Sequence, residues 1–291
     1  AVVPVPMDVR DAFRAAGLSH ALAASGFHLS VLLGAVMPLG RRLARPLRLA
    51  LAFGAMGLFV LLAGPQPSVL RAVLMGAIAL VIVEWGWRAK PIGILVASVV
   101  ALLLVVPGWL LDVGFQLSVM VTAGLMVTAR PLEQALADRL PAVVPGWFAG
   151  ALAVPLAASI WTLPLQLLHF GVVPSYAVPA NLVVTPLLTP ITLGAMALAG
   201  LAVLVPPLVP LVCGPVAWLC GVLLVVVRWF AGLPMAQWQL GKASPGLVLL
   251  FSLALATLVL PGLAPRWRRL GLALLALVMA LHLGWLGSDR L

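Results

Sequence analysis

Two imidazoles, three hydroxyls and two glycines crowd between Gly17 and Ser30, at the start of the first long apolar run. His20 and His28 are eight residues apart, so on one helix they share a face, with Ala24 between them. Gly26 lies inside that face, where it costs about 1 kcal/mol of helix stability relative to alanine. Polar groups at such a position need a partner or water. Two readings follow: the segment lines something wet, or it is a polar entry turn whose histidines bond to neighbouring helices. Ser25 with a histidine nearby raises nucleophilic catalysis, but Ser25 and His28 share one helix and no orienting acid is evident.

Other chemistries lack their residues. Gly241-Lys242 is followed by Ala243 and lacks the glycine pattern of a phosphate loop. Seven acidic residues, none clustered, are too few for a two-metal nuclease. Four histidines and two cysteines show no metal spacing, and Cys213 and Cys220, seven apart on one apolar helix, are too far apart for a disulfide. No metal or cofactor is expected, and the chain reads as a conduit rather than a catalyst.

The remaining polar residues fall in stripes. Ser68, Arg71 and Met75 share a face, with Arg71 either snorkelling to the outer surface or facing an aqueous vestibule. Asp112 is placed to cap a helix and shares a face with Gln116, while Ser118 points elsewhere; Asp112 could also pair with Arg71. Glu84 stands four before Arg88, the spacing of a local ion pair. Ser159, Thr162, Gln166 and His169 are spaced three, four and three, one narrow stripe interrupted by Pro164. Asn181, Thr185, Thr189 and Thr192 form a second, with Pro186 and Pro190 inside it. Such stripes are either interhelical glue or the sides of a cavity beside proline-broken helices.

These stripes need long apolar helices to carry them. The chain has 291 residues, 64% hydrophobic and only 8% charged, against about 25% charged in a soluble domain. The expected fold is all-α, a polytopic integral membrane protein of about ten transmembrane helices, some proline-broken or re-entrant. Residues 1–17 read as an outer amphipathic approach segment, and 18–291 as the transmembrane domain. The spans fall near 18–37, 47–64, 68–87, 91–110, 112–129, 147–170, 178–205, 206–230, 245–262 and 267–286. If they alternate, Arg41, Arg42, Arg45, Arg48, Arg88, Lys90, Arg130, Arg139, Arg266, Arg268 and Arg269 share one side. Arg10, Arg14, Arg228, Lys242 and Arg290 share the other, which makes the Arg41 side cytoplasmic and puts both ends outside. Spans one, three, five and seven then start at the outer face, where converging helix N-termini would favour an anion. The start at Ala1 without a methionine is read as that of a piece of a longer protein.

Six segments occur in an order that resembles the competence domain of the ComEC-type DNA-uptake channel family. They are Gly-Leu-Ser-His-Ala-Leu-Ala-Ala-Ser-Gly-Phe-His from Gly17, Ser-Val-Leu-Arg-Ala from Ser68, Asp-Val-Gly-Phe-Gln-Leu-Ser from Asp112, Pro-Leu-Gln from Pro164, Phe-Gly at Phe170 and Ala-Asn-Leu-Val-Val-Thr-Pro from Ala180. The resemblance covers residues 10–200, and Phe27 departs from it by standing where an aliphatic residue is usual.

The resemblance implies a channel in the bacterial inner membrane that passes single-stranded DNA into the cytoplasm during natural transformation. Its polar motif positions carry over to Ser25, Gly26, His28, Arg71, Asp112, Gln116, Ser118, Gln166 and Asn181. Arg71 would meet phosphates at the mouth, His20 and His28 would donate to phosphates or to neighbouring helices, and Phe115 would stack on bases. Implied partners are an outer oligonucleotide-binding-fold domain and an outer metallo-β-lactamase-like domain of the parent protein. A cytosolic ATPase or helicase motor and single-strand-binding proteins would complete the set. Competing readings are a secondary transporter of a small anionic solute and a non-conducting membrane scaffold.

Overall fold

The computed structural model describes residues 5–88, 90–141, 143–259 and 264–288, and most of them are helical. Helices run α1 Met7–Ala15, α2 Ser19–Leu22, α3 Gly26–Val36, α4 Arg45–Ala63, α5 Pro67–Glu84, α6 Pro91–Val105 and α7 Val113–Ala137. They continue with α8 Trp147–His169, α9 Ala177–Leu204, α10 Val209–Val212, α11 Gly214–Ala231, α12 Pro245–Val259 and α13 Pro265–Ser288. Proline stands in the first turn of α4, α5, α6 and α11, where its missing N–H would have no intrahelical partner anyway. Leu61, Leu104, Val105 and Leu211 are each about four-fifths exposed, apolar surface suited to lipid rather than water.

The chain divides into two units. The first comprises residues 1–115 and 179–236. Its core is Leu29 of α3, Met56 and Phe59 of α4, and Val69 and Ala72 of α5, with Met196 of α9 packed against it. At one end of the α4–α5 hairpin, Arg48 Nε donates to Glu84 Oε1 at 2.8 Å and Arg48 Nη2 to Glu84 Oε2. Arg45 stands 3.7 Å from the same carboxylate and lies over the Trp85 ring. The amphipathic α1 buries Phe13 and packs on α11, and Asp8 pairs with Arg228 at 3.0 Å.

The second unit comprises residues 116–178 and 237–291. It holds most of α7, together with α8, α12 and α13. Trp161 of α8 donates to Thr128 of α7 at 3.2 Å, packed over Gly124, where a methyl group would overlap the indole. Two three-residue strands, β1 Val172–Pro174 and β2 Gln237–Gln239, pair antiparallel with Val172 opposite Gln239. Gly171 enters this ribbon at φ +64, so close to the Gly241 backbone that a Cβ would lie 2.6 Å from its carbonyl carbon. Only glycine fits there.

Several expectations change. Among the described residues, six helices are long and apolar enough to cross a bilayer and three more are apolar but shorter, so the count of about ten spans is not confirmed. The span expected at 18–37 is split into α2 and α3, and α6 and α12 have 15 residues each, about 22 Å of helix against a hydrocarbon core of about 30 Å. The 206–230 segment opens with a 3-10 turn and the short α10 before α11 begins. Pro164, Pro186 and Pro190 do not end their helices; α8 and α9 run through them. One lost N–H is tolerable where helix continues on both sides. The two-stranded ribbon is a small departure from the all-α expectation. Glu84 pairs across the hairpin with Arg48, not with Arg88. Arg290, residues 1–4 of the approach segment and residues 260–262 of the ninth expected span lie outside the described residues.

Gly124→Ala is expected to lower stability by about 1–3 kcal/mol, since the added methyl must displace the ring of Trp161. Gly57→Ala on α4, where nothing lies within 4 Å, is the control and should raise stability by up to about 1 kcal/mol, the helix preference of alanine over glycine. Thermal unfolding of the purified protein in detergent distinguishes the two.

Candidate functional site

The segment from Gly17 to Ser30 is a break rather than one helix. After α2, Ala23 is extended at φ −101 and ψ 138, and Ser25 is extended at φ −141 and ψ 174. The helix restarts at Gly26, which therefore sits in the first turn of α3 instead of the interior of a longer helix. The shared face expected for His20 and His28 is thereby lost.

The groups at the break find partners. The Ser25 N–H donates to His28 Nδ1 at 3.2 Å, with histidine in the place a glutamate or glutamine takes in a capping box. The Ser25 Oγ lies 3.1 Å from the same nitrogen. The Ala24 carbonyl accepts from Ser68 Oγ at 3.3 Å, and the Gly26 carbonyl from Ser30 Oγ at 2.8 Å. His20 hydrogen-bonds the Asn181 side chain, which ties α2 to α9. Residues 20, 25, 26, 28, 68, 71 and 181, far apart in the chain, thus converge on one interrupted turn.

Arg71 is 5% exposed and does not snorkel. Its Nη1 donates to Met75 Sδ at 2.9 Å, and its guanidinium lies alongside Gly26. A Cβ on Gly26 would lie 3.5 Å from Ala72 and 3.8 Å from Arg71 Nη2, so a small residue at the α3 start lets α5 approach. The guanidinium expected to meet phosphates at a mouth lies inside the protein beside the break. His20 and Thr185, by contrast, are exposed.

Asp112 caps α7 as expected, its Oδ1 accepting from the Phe115 N–H at 2.7 Å. Phe115 is 3% exposed beside Trp109, which removes it as a stacking platform for bases. An aromatic in the first turn of an apolar helix was assigned to a ligand, and core packing claims it instead.

In the second unit the Ser159-Thr162-Gln166-His169 stripe satisfies itself. Gln166 Nε2 donates to Thr162 Oγ1 at 2.9 Å, Thr162 Oγ1 to the Ala158 carbonyl at 2.8 Å and to the Ser159 carbonyl at 3.3 Å. His169 Nε2 lies 2.8 Å from Gln116 Oε1, joining α8 to α7. The Ser118 carbonyl accepts from Thr122 Oγ1 at 2.7 Å. Of these bonds the His169–Gln116 pair runs between helices, glue of the kind that polar residues supply in bilayers, and the others stay within α8 or α7. Along α9, Thr185 is exposed whereas Thr192 is 7% exposed, so that stripe is not uniformly open.

Two features escaped the sequence reading. The Trp161–Thr128 bond left a faint trace, Gly124 and Thr128 being one turn apart on α7. The Arg48–Glu84 pair was legible in principle: the two residues are symmetric about Gln66, the middle of the α4–α5 hairpin. Among the described residues no three His, Cys, Asp or Glu side chains gather as metal ligands.

A family model described as competence protein matches residues 4–265. The chain belongs to the competence protein family. The ComE operon protein 3 of Bacillus subtilis (strain 168) is 31% identical over 184 residues, which are 62% of this chain and 23% of that relative. The chain thus spans about a quarter of that relative's length. No solved structure matches it. Membership in the competence protein family and the long apolar helices together make this a multi-pass membrane protein.

His20→Ala and Asn181→Ala are expected to be non-additive. A double-mutant cycle on thermal stability in detergent should return a coupling of about 0.6–1.7 kcal/mol, the range of interhelical bonds in membranes. Additivity would mean that the bond between α2 and α9 contributes nothing.

Proposed function

We propose that this chain is the membrane-embedded conduit of a DNA-uptake system and passes single-stranded DNA into the cytoplasm during natural transformation. The observation that carries the reading is the interrupted α2–α3 segment, in a chain of the competence protein family, with an accessible imidazole at its edge. Irregular backbone at membrane depth is tolerated where it is buried in protein or lines a wet cavity. His20 is exposed, and its side chain hydrogen-bonds that of Asn181. Neutral donors suit a strand that must slide without sequence preference, whereas fixed cations would hold it. Arg71, His28, Ser68 and Gly26 shape this edge; Gln116, Thr162, Gln166 and His169 stiffen the second unit.

The proposed setting is the bacterial inner membrane with the Arg41 end in the cytoplasm and both chain ends outside. The Asp8–Arg228 pair supports it, since it puts α1 at the C-terminal end of α11, and both were assigned to the outer side. Moving each negative charge inward against 100 mV costs about 2.3 kcal/mol. A cytosolic ATPase or helicase and single-strand-binding proteins would therefore pull the strand. Outer oligonucleotide-binding-fold and metallo-β-lactamase-like domains of the parent protein would capture and degrade DNA, and this chain itself would do no catalysis.

The test is uptake of labelled DNA in a competent host carrying the full-length protein with His20→Ala, Thr185→Val or Arg71→Gln, and Arg42→Ala as the loop control. His20→Ala and Arg71→Gln should cut uptake about tenfold or more while membrane insertion and surface DNA binding persist. Unchanged uptake in both would sink the conduit and leave the scaffold reading. Saturable uptake of a small anion that oligonucleotide does not block would favour a transporter instead.

A further inference from the structure

The basic end of the α4–α5 hairpin contains a site that the conduit does not use. A cavity of about 610 Å³ opens there, lined by Gly34 in the last turn of α3 and Pro38 just after it, by Arg41 and Arg48, and by Glu84 and Gly86. Next to it an apolar groove of about 280 Å³ runs between α3, α4 and α5, lined by Leu33, Gly76, Ala79 and Leu80. Met37 and Val83 line both, so the basic cavity and the apolar groove adjoin each other. The groove exists because Gly76 and Ala79 present almost no side chain on the α5 face that meets α3.

The charges in the cavity are unequal in availability. Arg48 is committed to Glu84 through both carboxylate oxygens, and Arg45 adds a second cation beside them. Arg41 is exposed, and among the described residues no carboxylate lies within ion-pair distance of it. Three cations, Arg41, Arg45 and Arg48, against one carboxylate leave a net charge of +2. Trp85 and Trp87, both exposed, flank this end of α5, the residue type enriched where a bilayer meets water.

We propose that this site binds one anionic phospholipid, its phosphate headgroup at Arg41 in the cavity and one acyl chain in the groove between α3 and α5. An anion alone would leave the groove uncovered, and an uncharged lipid would leave Arg41 without a counter-charge. A ligand with a phosphodiester joined to an apolar tail satisfies both halves. The lipid would wedge the short α3 against the hairpin and so steady the α2–α3 break from its far end. The proposal stands whether or not the chain conducts DNA, because it rests on the geometry of the first unit and on membrane embedding alone.

Native mass spectrometry of the full-length protein in detergent tests it, with dioleoyl phosphatidylglycerol, dioleoyl phosphatidylethanolamine, inorganic phosphate and a single-stranded oligonucleotide as probes. Phosphatidylglycerol should bind about fivefold or more tightly than phosphatidylethanolamine, the effect of roughly one cation at the membrane surface. Arg41→Gln should erase that preference without changing thermal stability in lipid-free detergent. Ala79→Trp should weaken both lipids by filling the groove. Arg48 is left intact, because its removal would orphan Glu84. Equal binding of the two lipids, or a preference that survives Arg41→Gln, overturns the headgroup assignment. Full affinity in Ala79→Trp overturns the acyl assignment. Displacement of phosphatidylglycerol by inorganic phosphate at comparable concentration shows a free-anion site, and displacement by oligonucleotide shows a nucleic-acid surface; either overturns the lipid.

Discussion

A peptide group at membrane depth must find its hydrogen bond within the protein, because there is no water to supply one. Most of this chain meets that demand by being helix. Ala23–Ser25 interrupts the helix inside an expected span, and side chains from elsewhere supply bonds to the freed peptide groups. Ser68 takes the Ala24 carbonyl, His28 takes the Ser25 N–H, and Asn181 holds His20 at the edge of the gap. Gly26 packs beside Ala72 and Arg71 of α5, the helix from which Ser68 reaches the break. Each of these residues makes sense only with the others, which is why polar side chains from α2, α3, α5 and α9 persist in a chain that is otherwise apolar.

The second constraint is charge. With seven acidic residues against seventeen basic ones, a carboxylate inside an apolar hairpin is a costly choice unless it is matched. Glu84 is matched twice over, by Arg48 in a forked pair and by Arg45 at longer range. This locks the register of α4 against α5. It also consumes Arg48, while among the described residues no carboxylate lies within ion-pair distance of Arg41, a division of labour invisible in a simple count of loop arginines. At the other end, Asp8 and Arg228 dock the amphipathic α1 on α11 in the same economical way.

Polar stripes on apolar helices admit two interpretations, and the two units resolve them differently. In the second unit, Gln166 bonds Thr162 within α8 and His169 bonds Gln116 of α7, so the stripe is partly self-satisfied and joins two helices at one point. In the first unit, His20 and Thr185 remain open while Arg71 and Phe115 are enclosed. Residue type alone does not predict which outcome occurs. An arginine one turn inside a span looks like a snorkelling anchor until a neighbouring glycine lets another helix pack over it.

The sequence by itself determined the membrane class, the helical content, the amphipathic approach, the Asp112 cap and which segments carry polar residues. Composition, 3.6-residue periodicity and capping chemistry are local, and they are written in consecutive residues. The motif order also sufficed for the family. Tertiary structure decided what no local rule contains: that 18–37 is two helices, that α8 and α9 pass through their prolines, and that Glu84 reaches Arg48 instead of Arg88. It decided as well that Phe115 is core and that a three-residue ribbon joins 172–174 to 237–239. Each of these depends on a partner distant in the chain. A helix breaks where side chains from elsewhere can satisfy the freed peptide groups, and a proline is harmless where packing holds the helix on both sides of it.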